Sequence, residues 1–223
     1  MNIYELLSIT QLFFEALAMV VGFICWKHLK PTYWKLCPIF ILVIVINEII
    51  GNLLRYINIQ ANMEWYNFIT IPLQFLFYKF LFYKFFKQIK LKILSIVFSI
   101  IYFIAFLTEN MILIKHDFWF DSISYTIGNL CLLILIFAYF LQLLKSPQIL
   151  NFAIEPMFWI SSGLLLCYLG GFPFYALRNT MGSKYPDFFN AYWKFVITLN
   201  CISFLMFTYS FICFQRNSLS SSS

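Results

Sequence analysis

Leu36-Cys37-Pro38-Ile39-Phe40-Ile41-Leu42-Val43-Ile44-Val45-Ile46-Asn47-Glu48-Ile49-Ile50-Gly51-Asn52-Leu53-Leu54-Arg55 is the stretch that decides the fold. Nothing charged occurs before Glu48, and Arg55 closes the run. With Tyr33 and Trp34 in front, the segment from Tyr33 to Leu54 matches the ~20 apolar residues that a helix needs to cross a ~30 Å hydrocarbon core. After Lys35, the run from Leu36 to Ile46 is uniformly apolar, and the second half brings in Asn47, Glu48 and Asn52.

The rest of the chain repeats this pattern. Apolar stretches run roughly Ile3 to Trp26, Trp65 to Phe86, Ile93 to Leu107, Ser122 to Leu144, Pro156 to Leu177 and Phe189 to Phe214. Of 223 residues, 62% are hydrophobic, 22% aromatic and 11% charged. Soluble domains carry about 45–50% apolar and about 25% charged residues, and a soluble fold of this length leaves too much surface wet to hide the excess. The reading is an all-α integral membrane bundle of seven transmembrane helices over residues 1–216. A serine-rich tail, residues 217–223, is expected to be disordered. Met1 to Thr10 lacks a basic n-region and carries Glu5, so it reads as the start of the first span rather than a signal peptide.

Loop charge sets the expected orientation. Lys27 and Lys30 follow span 1, Lys87, Lys90 and Lys92 follow span 3, Lys145 follows span 5, and the loop from Glu109 to Asp121 is acidic. The positive-inside rule then predicts N-out, C-in. The segment after span 6 is the exception, with Arg178, Lys184 and Lys194 against Asp187. Trp26, Trp34, Trp65, Trp119, Trp159 and Trp193 each fall near a predicted span end, as interfacial indole rings do. A short interfacial turn is expected around Phe118-Trp119-Phe120.

Several function classes are excluded. The net charge of +6 sits at helix ends rather than on a solvated patch, which argues against nucleic acid as a partner. The cysteines Cys25, Cys37, Cys131, Cys167, Cys201 and Cys213 all lie in apolar segments without a C-x-x-C pair, so neither a disulfide framework nor a zinc site is implied. His28 and His116 are both in loops, and no H-E-x-x-H, G-x-S-x-G or Walker-type loop occurs. No catalytic residue, metal ligand or cofactor is implied. Lysine, isoleucine, phenylalanine, asparagine and tyrosine have AT-rich codons. Their abundance points to a low-GC bacterium and so to an inner membrane.

Polar residues inside the spans are the remaining clue, because a charge at mid-bilayer costs about 2.5–3.5 kcal/mol even on lenient scales. Glu48, Asn52, Asn67, Gln74, Asn129 and Asn200, with Lys194, fall in the expected outer halves of their spans, whereas the inner halves are aliphatic and aromatic. One reading is an outward-facing cavity with Glu48 as its acidic centre and Lys194 as a counter-ion. The other is that the amides bond helix to helix. Glu15 fits either. Gly170-Gly171 and Pro173 either admit close helix approach or unwind span 6, and Pro72 is expected to kink span 3 and free the Phe68 carbonyl. In the repeat Leu76-Phe77-Tyr78-Lys79-Phe80, Leu81-Phe82-Tyr83-Lys84-Phe85, both lysines are expected to snorkel to the headgroups, with Lys79 the deeper.

Asn47-Glu48-Ile49-Ile50-Gly51-Asn52, Tyr66-Asn67 through Pro72 to Tyr78, and Trp159-Ile160-Ser161-Ser162-Gly163 together resemble the seven-span membrane proteins of Bacteroidota that have no assigned activity. The resemblance covers most of the chain and carries no functional residue. The function expected first is a small sensor or receptor-like bundle. It would take a small polar or amphipathic ligand from outside, and its basic loops would meet anionic lipid or a cytoplasmic partner. A transporter or lipid-acting membrane enzyme, and a scaffold subunit with a membrane partner, are the alternatives.

Overall fold

The computed structural model of the chain describes residues 3–112 and 120–220. Among the described residues every secondary-structure element is helical, and six helices are long and apolar enough to cross a membrane. Trp119, His116 and most of the expected interfacial turn lie outside the described residues. The chain divides into two compact units, and the divisions fall within α2 (Leu36–Ile57), α6 (Ser122–Leu144), α7 (Pro156–Ala176) and α9 (Pro186–Ser220).

The first unit comprises Met1–Ile46, Tyr139–Gly170 and Lys194–Ser223. It contains α1 (Ile3–Ile24), 3₁₀ turns at Cys25–His28 and Thr32–Lys35, and a 3₁₀ segment at Pro147–Ile154. Small residues set its helix spacing. A Cβ at Gly22 would lie 2.8 Å from the Pro38 Cβ and 3.0 Å from the Phe211 ring. Between α7 and α9, the Ser203 hydroxyl donates to the Gly163 carbonyl at 2.7 Å, and Gly170 lies against Leu199. With no hydrophobic force between helices in lipid, such close backbone approach is a main source of packing energy. The helix α7 runs unbroken past Gly170, Gly171 and Pro173 to Ala176, so this stretch is a close approach and not an unwound segment. The helix α9 reaches Ser220, and Ser221 to Ser223 lie outside the described residues.

The second unit comprises Asn47–Ala138 and Gly171–Trp193. Its spine is an unbroken helical rod from Ile59 to Phe85, made of α3 (Ile59–Trp65), a π-helical turn (Tyr66–Thr70) and α4 (Ile71–Phe85). The π turn answers Pro72, which has no N–H to give and crowds the preceding turn. The backbone widens, and the Ile71 N–H bonds to Tyr66 O, five residues back. The helix α5 extends from Ile89 to Ile112, well beyond the short span expected from Ile93 to Leu107. Hydropathy missed its ends because Lys90 and Lys92 start the helix and Thr108, Glu109 and Asn110 close it.

The core of this unit is aromatic. Phe75 packs on Tyr102 at 5.1 Å and on Tyr125 at 5.3 Å between ring centroids. Gly128 of α6 makes room for them, since a Cβ there would lie 2.7 Å from the Tyr102 ring and 3.1 Å from Phe75. Both rings are buried and have nowhere to go. Gly128→Ala is therefore expected to destabilise the protein by about 1–3 kcal/mol through overpacking. Gly182→Ala, whose Cβ would meet nothing closer than 3.9 Å, should be neutral or gain up to ~1 kcal/mol of helix propensity. Thermal unfolding of the two purified variants in detergent checks both signs.

Candidate functional site

The buried charged side chains of the described residues are Glu15, Lys79, Glu109 and Asp121, and all but Glu15 belong to the second unit. Several of that unit's polar groups form two hydrogen-bonded sets.

The first set joins α2 to the following hairpin partner. Trp65 Nε1 donates to Asn47 Oδ1 at 3.0 Å, Tyr66 Oη donates to Glu48 Oε2 at 2.7 Å, and Asn62 Nδ2 donates to the Gly51 carbonyl at 2.6 Å. Gly51 permits this geometry, because its missing Cβ would lie 2.9 Å from the Tyr66 ring. The Asn47-Glu48-x-x-Gly51 pattern is thus one face of a helical clasp. Asn52 lies one turn beyond Glu48, half-buried.

The second set closes the connection between α5 and α6. The Glu109 carboxylate accepts from the backbone N–H groups of Ile123 at 3.1 Å and Ser124 at 2.6 Å. These are two of the donors that the first turn of α6 cannot satisfy for itself, and the negative charge also suits that end of the helix dipole. Asn110 Nδ2 donates to Asp121 Oδ2 at 2.9 Å, and Asn67 Oδ1 accepts from the Asp121 N–H at 3.4 Å. From α8 (Arg178–Lys184), Asn179 bonds both the N–H and the carbonyl of Phe120, at 3.0 and 2.8 Å.

Arg178 begins α8 and is half-buried. Its guanidinium carbon lies 4.6 Å from the Phe120 ring centroid and 5.9 Å from that of Phe174. One of its N–H groups points at the Met63 thioether at 3.5 Å. Tyr125 and Tyr175 stack 4.4 Å apart beside Phe120. Burial pushes the guanidinium below its ordinary value, opposed by Tyr175, Tyr66 and Tyr125, in that order. A guanidinium nevertheless remains charged. Among the described residues, no carboxylate bonds it.

The residues singled out from sequence fare differently. Glu48, Asn52, Asn67, Gln74 and Asn129 all lie in the second unit, where Glu48 and Asn67 sit in the two sets above, Asn129 is fully buried, and Gln74 is half-buried. Lys194 and Asn200 belong to the first unit, where Asn200 Oδ1 accepts from the Cys167 thiol at 2.6 Å. Lys79 does not snorkel. It is fully buried, donates to the Phe98 carbonyl at 3.2 Å and lies 4.4 Å from the Tyr102 ring centroid, while Lys84 alone of the pair is exposed.

Sequence reasoning passed over Arg178, Asn179 and Glu109. Arg178 looked like loop charge, and its partners Met63 and Phe120 are far away in the chain. For Glu109 the signal was partial: it opens an acidic connection that also holds Asp117 and Asp121, ahead of a helix whose first turn holds no acid of its own.

A helical chain with six membrane-length apolar helices and polar groups clasped inside the protein defines a multi-pass membrane protein. No family model, curated protein or solved structure matches it.

Removing the Glu109 carboxylate should leave two N–H groups of α6 without their acceptor. Glu109→Ala is expected to cost about 1–3 kcal/mol. Glu109→Gln keeps one acceptor oxygen but loses the charge and turns its NH2 toward the second N–H, so it should cost about 1–2 kcal/mol. Thermal melts of the two variants should therefore rank Ala below Gln below wild type.

Proposed function

We infer that this chain is a small seven-span, N-out and C-in receptor-like protein of a bacterial inner membrane. It binds a small polar or amphipathic ligand carrying an acid group, presented from outside. The seven-span bacterial proteins that its motifs resemble fit the same architecture. The rod from Ile59 to Phe85 supplies the further crossing: α4 alone, at about 22 Å, is too short for a bilayer, but with its π turn and α3 the rod is long enough.

One observation carries the ligand assignment. Arg178 holds five N–H donors in a planar fork and uses one on a thioether, a weak acceptor. Aromatic faces on Phe120 and Phe174 hold its plane, leaving the fork matched to a carboxylate. Glu48 is tied to the same neighbourhood through Tyr66, so ligand binding at Arg178 bears directly on the α2 clasp. A scaffold reading draws on the fact that Asn47, Asn62, Asn67, Asn110 and Asn179 are all used within the chain. That explains the asparagines and leaves Arg178 unexplained.

Purified protein screened by thermal shift against small carboxylates, amines and neutral polyols should respond selectively to a carboxylate. Arg178→Lys and Arg178→Gln should both abolish the response, since an ammonium lacks the planar fork. Glu48→Gln keeps an acceptor for Tyr66 and should retain it. A response equal across ligand classes, or one that survives Arg178→Gln, would refute the assignment. Reporter fusions at Asn62 and Gln88 test the orientation, with Asn62 expected outside and Gln88 inside.

A further inference from the structure

The hairpin of α4 and α5 carries a charge imbalance. Between Glu64 and Glu109 the chain holds Lys79, Lys84, Lys87, Lys90 and Lys92 and no acidic residue or arginine. Four of these lysines gather around the turn that joins the two helices, between Phe85 and Ile89. Two ammonium groups share one ring: Lys84 Nζ is 5.7 Å and Lys92 Nζ 5.8 Å from the Tyr83 centroid. The ring quadrupole attracts each ammonium without neutralising either charge. An anion beside this ring meets two positive charges.

A groove of about 400 Å³ starts at this ring and runs along the seam of the two helices. Its α4 wall extends from Tyr83 to Leu76, and its α5 wall from Ser95 to Phe103, a length of roughly 10–12 Å. The walls are almost entirely apolar and include the exposed side chains of Leu76, Ile96, Ile100 and Phe103. Ser95 and Ser99, one turn apart, keep the seam open. Their hydroxyls are turned back onto the carbonyls of Leu91 and Ser95, at 3.1 and 2.9 Å. Lys79 lies behind the groove wall one turn deeper than Tyr83, fully buried, with its ammonium turned to Phe98 O.

A cationic mouth followed by an apolar trough matches the order of groups in a membrane lipid: acidic headgroup, then acyl chain. We propose that this groove is a binding site for one anionic phospholipid. The phosphate sits beside Tyr83 within reach of Lys84 and Lys92, and an acyl chain lies along Leu76, Ile96, Ile100 and Phe103. The assignment is independent of Arg178. A zwitterionic lipid presents the same chain with a cancelling charge at the mouth, so headgroup charge is the discriminating feature.

The test uses the full chain, purified in detergent and delipidated, with native mass spectrometry to count bound lipid and thermal unfolding to confirm the fold. Phosphatidylglycerol should bind one per chain at least tenfold more tightly than phosphatidylcholine, and rising salt should narrow the difference. Lys84→Gln with Lys92→Gln should lose that preference while still melting like wild type, because Lys84 is exposed and Lys92 half-buried. Ser99→Leu, which fills the trough, should weaken both lipids, and Lys145→Gln should change neither. Glycerol phosphate, lacking a chain, should bind at least tenfold more weakly than phosphatidylglycerol. Equal binding of the two lipids, an unchanged preference in the Lys84/Lys92 variant, or glycerol phosphate matching the lipid would overturn the proposal. So would cross-linking of Leu76→Cys into a dimer that excludes lipid, which would give the groove to a second copy.

Discussion

A peptide group in hydrocarbon has no water to bond, so every N–H and C=O must find its partner within the protein. The rest of this structure follows from that constraint. It makes the described chain helical, and it moves the difficulty to the helix ends, where the first turn is left with donors and the last with acceptors. At α6 the solution is the Glu109 carboxylate, which reaches the N–H groups of Ile123 and Ser124. At the Phe120 connection it is the side chain of Asn179, which bonds both the N–H and the carbonyl of that residue. Near Pro72, where a donor is missing, the backbone widens to a π turn.

The same constraint explains what most intramembrane amides do. An asparagine in lipid is costly unless bonded, and here Asn47, Asn62, Asn67, Asn110 and Asn179 are bonded to neighbouring helices or connections. For these five, the amide serves to join helices or their connections. The residues that stand apart are cations. Arg178 and Lys79 are held by aromatic rings and have no carboxylate bonded to them among the described residues. A ring stabilises a cation without neutralising it, so each keeps an unspent attraction for an anion.

Hydropathy made the long apolar helices legible, because twenty residues without charge leave few alternatives. The ends were less legible. Helix α5 was read too short because its terminal turns are polar, and a polar turn is what a helix end in contact with headgroups requires. Asn47, Glu48 and Gly51 were visible as a pattern, but their partners Trp65, Tyr66 and Asn62 were not, since nothing local marks a pairing across a hairpin. Arg178 was illegible for a stronger reason. Charge counting treats every basic residue near a span end as equivalent, and only packing separates one held against Phe120 from one in water.

The π turn at Tyr66–Thr70 holds one residue more than an α turn would in the same rise. A single residue rotates a helix by about 100°. The turn is thus a phase shift in the rod: Tyr66 and Asn67, neighbours in sequence, serve different partners, one reaching Glu48 and the other the Asp121 backbone. Were the rod of uniform pitch, Trp65 and Tyr66 would swing away from Asn47 and Glu48 whenever Phe75 and Lys79 kept their places. The extra residue lets one continuous helix keep two incompatible angular appointments.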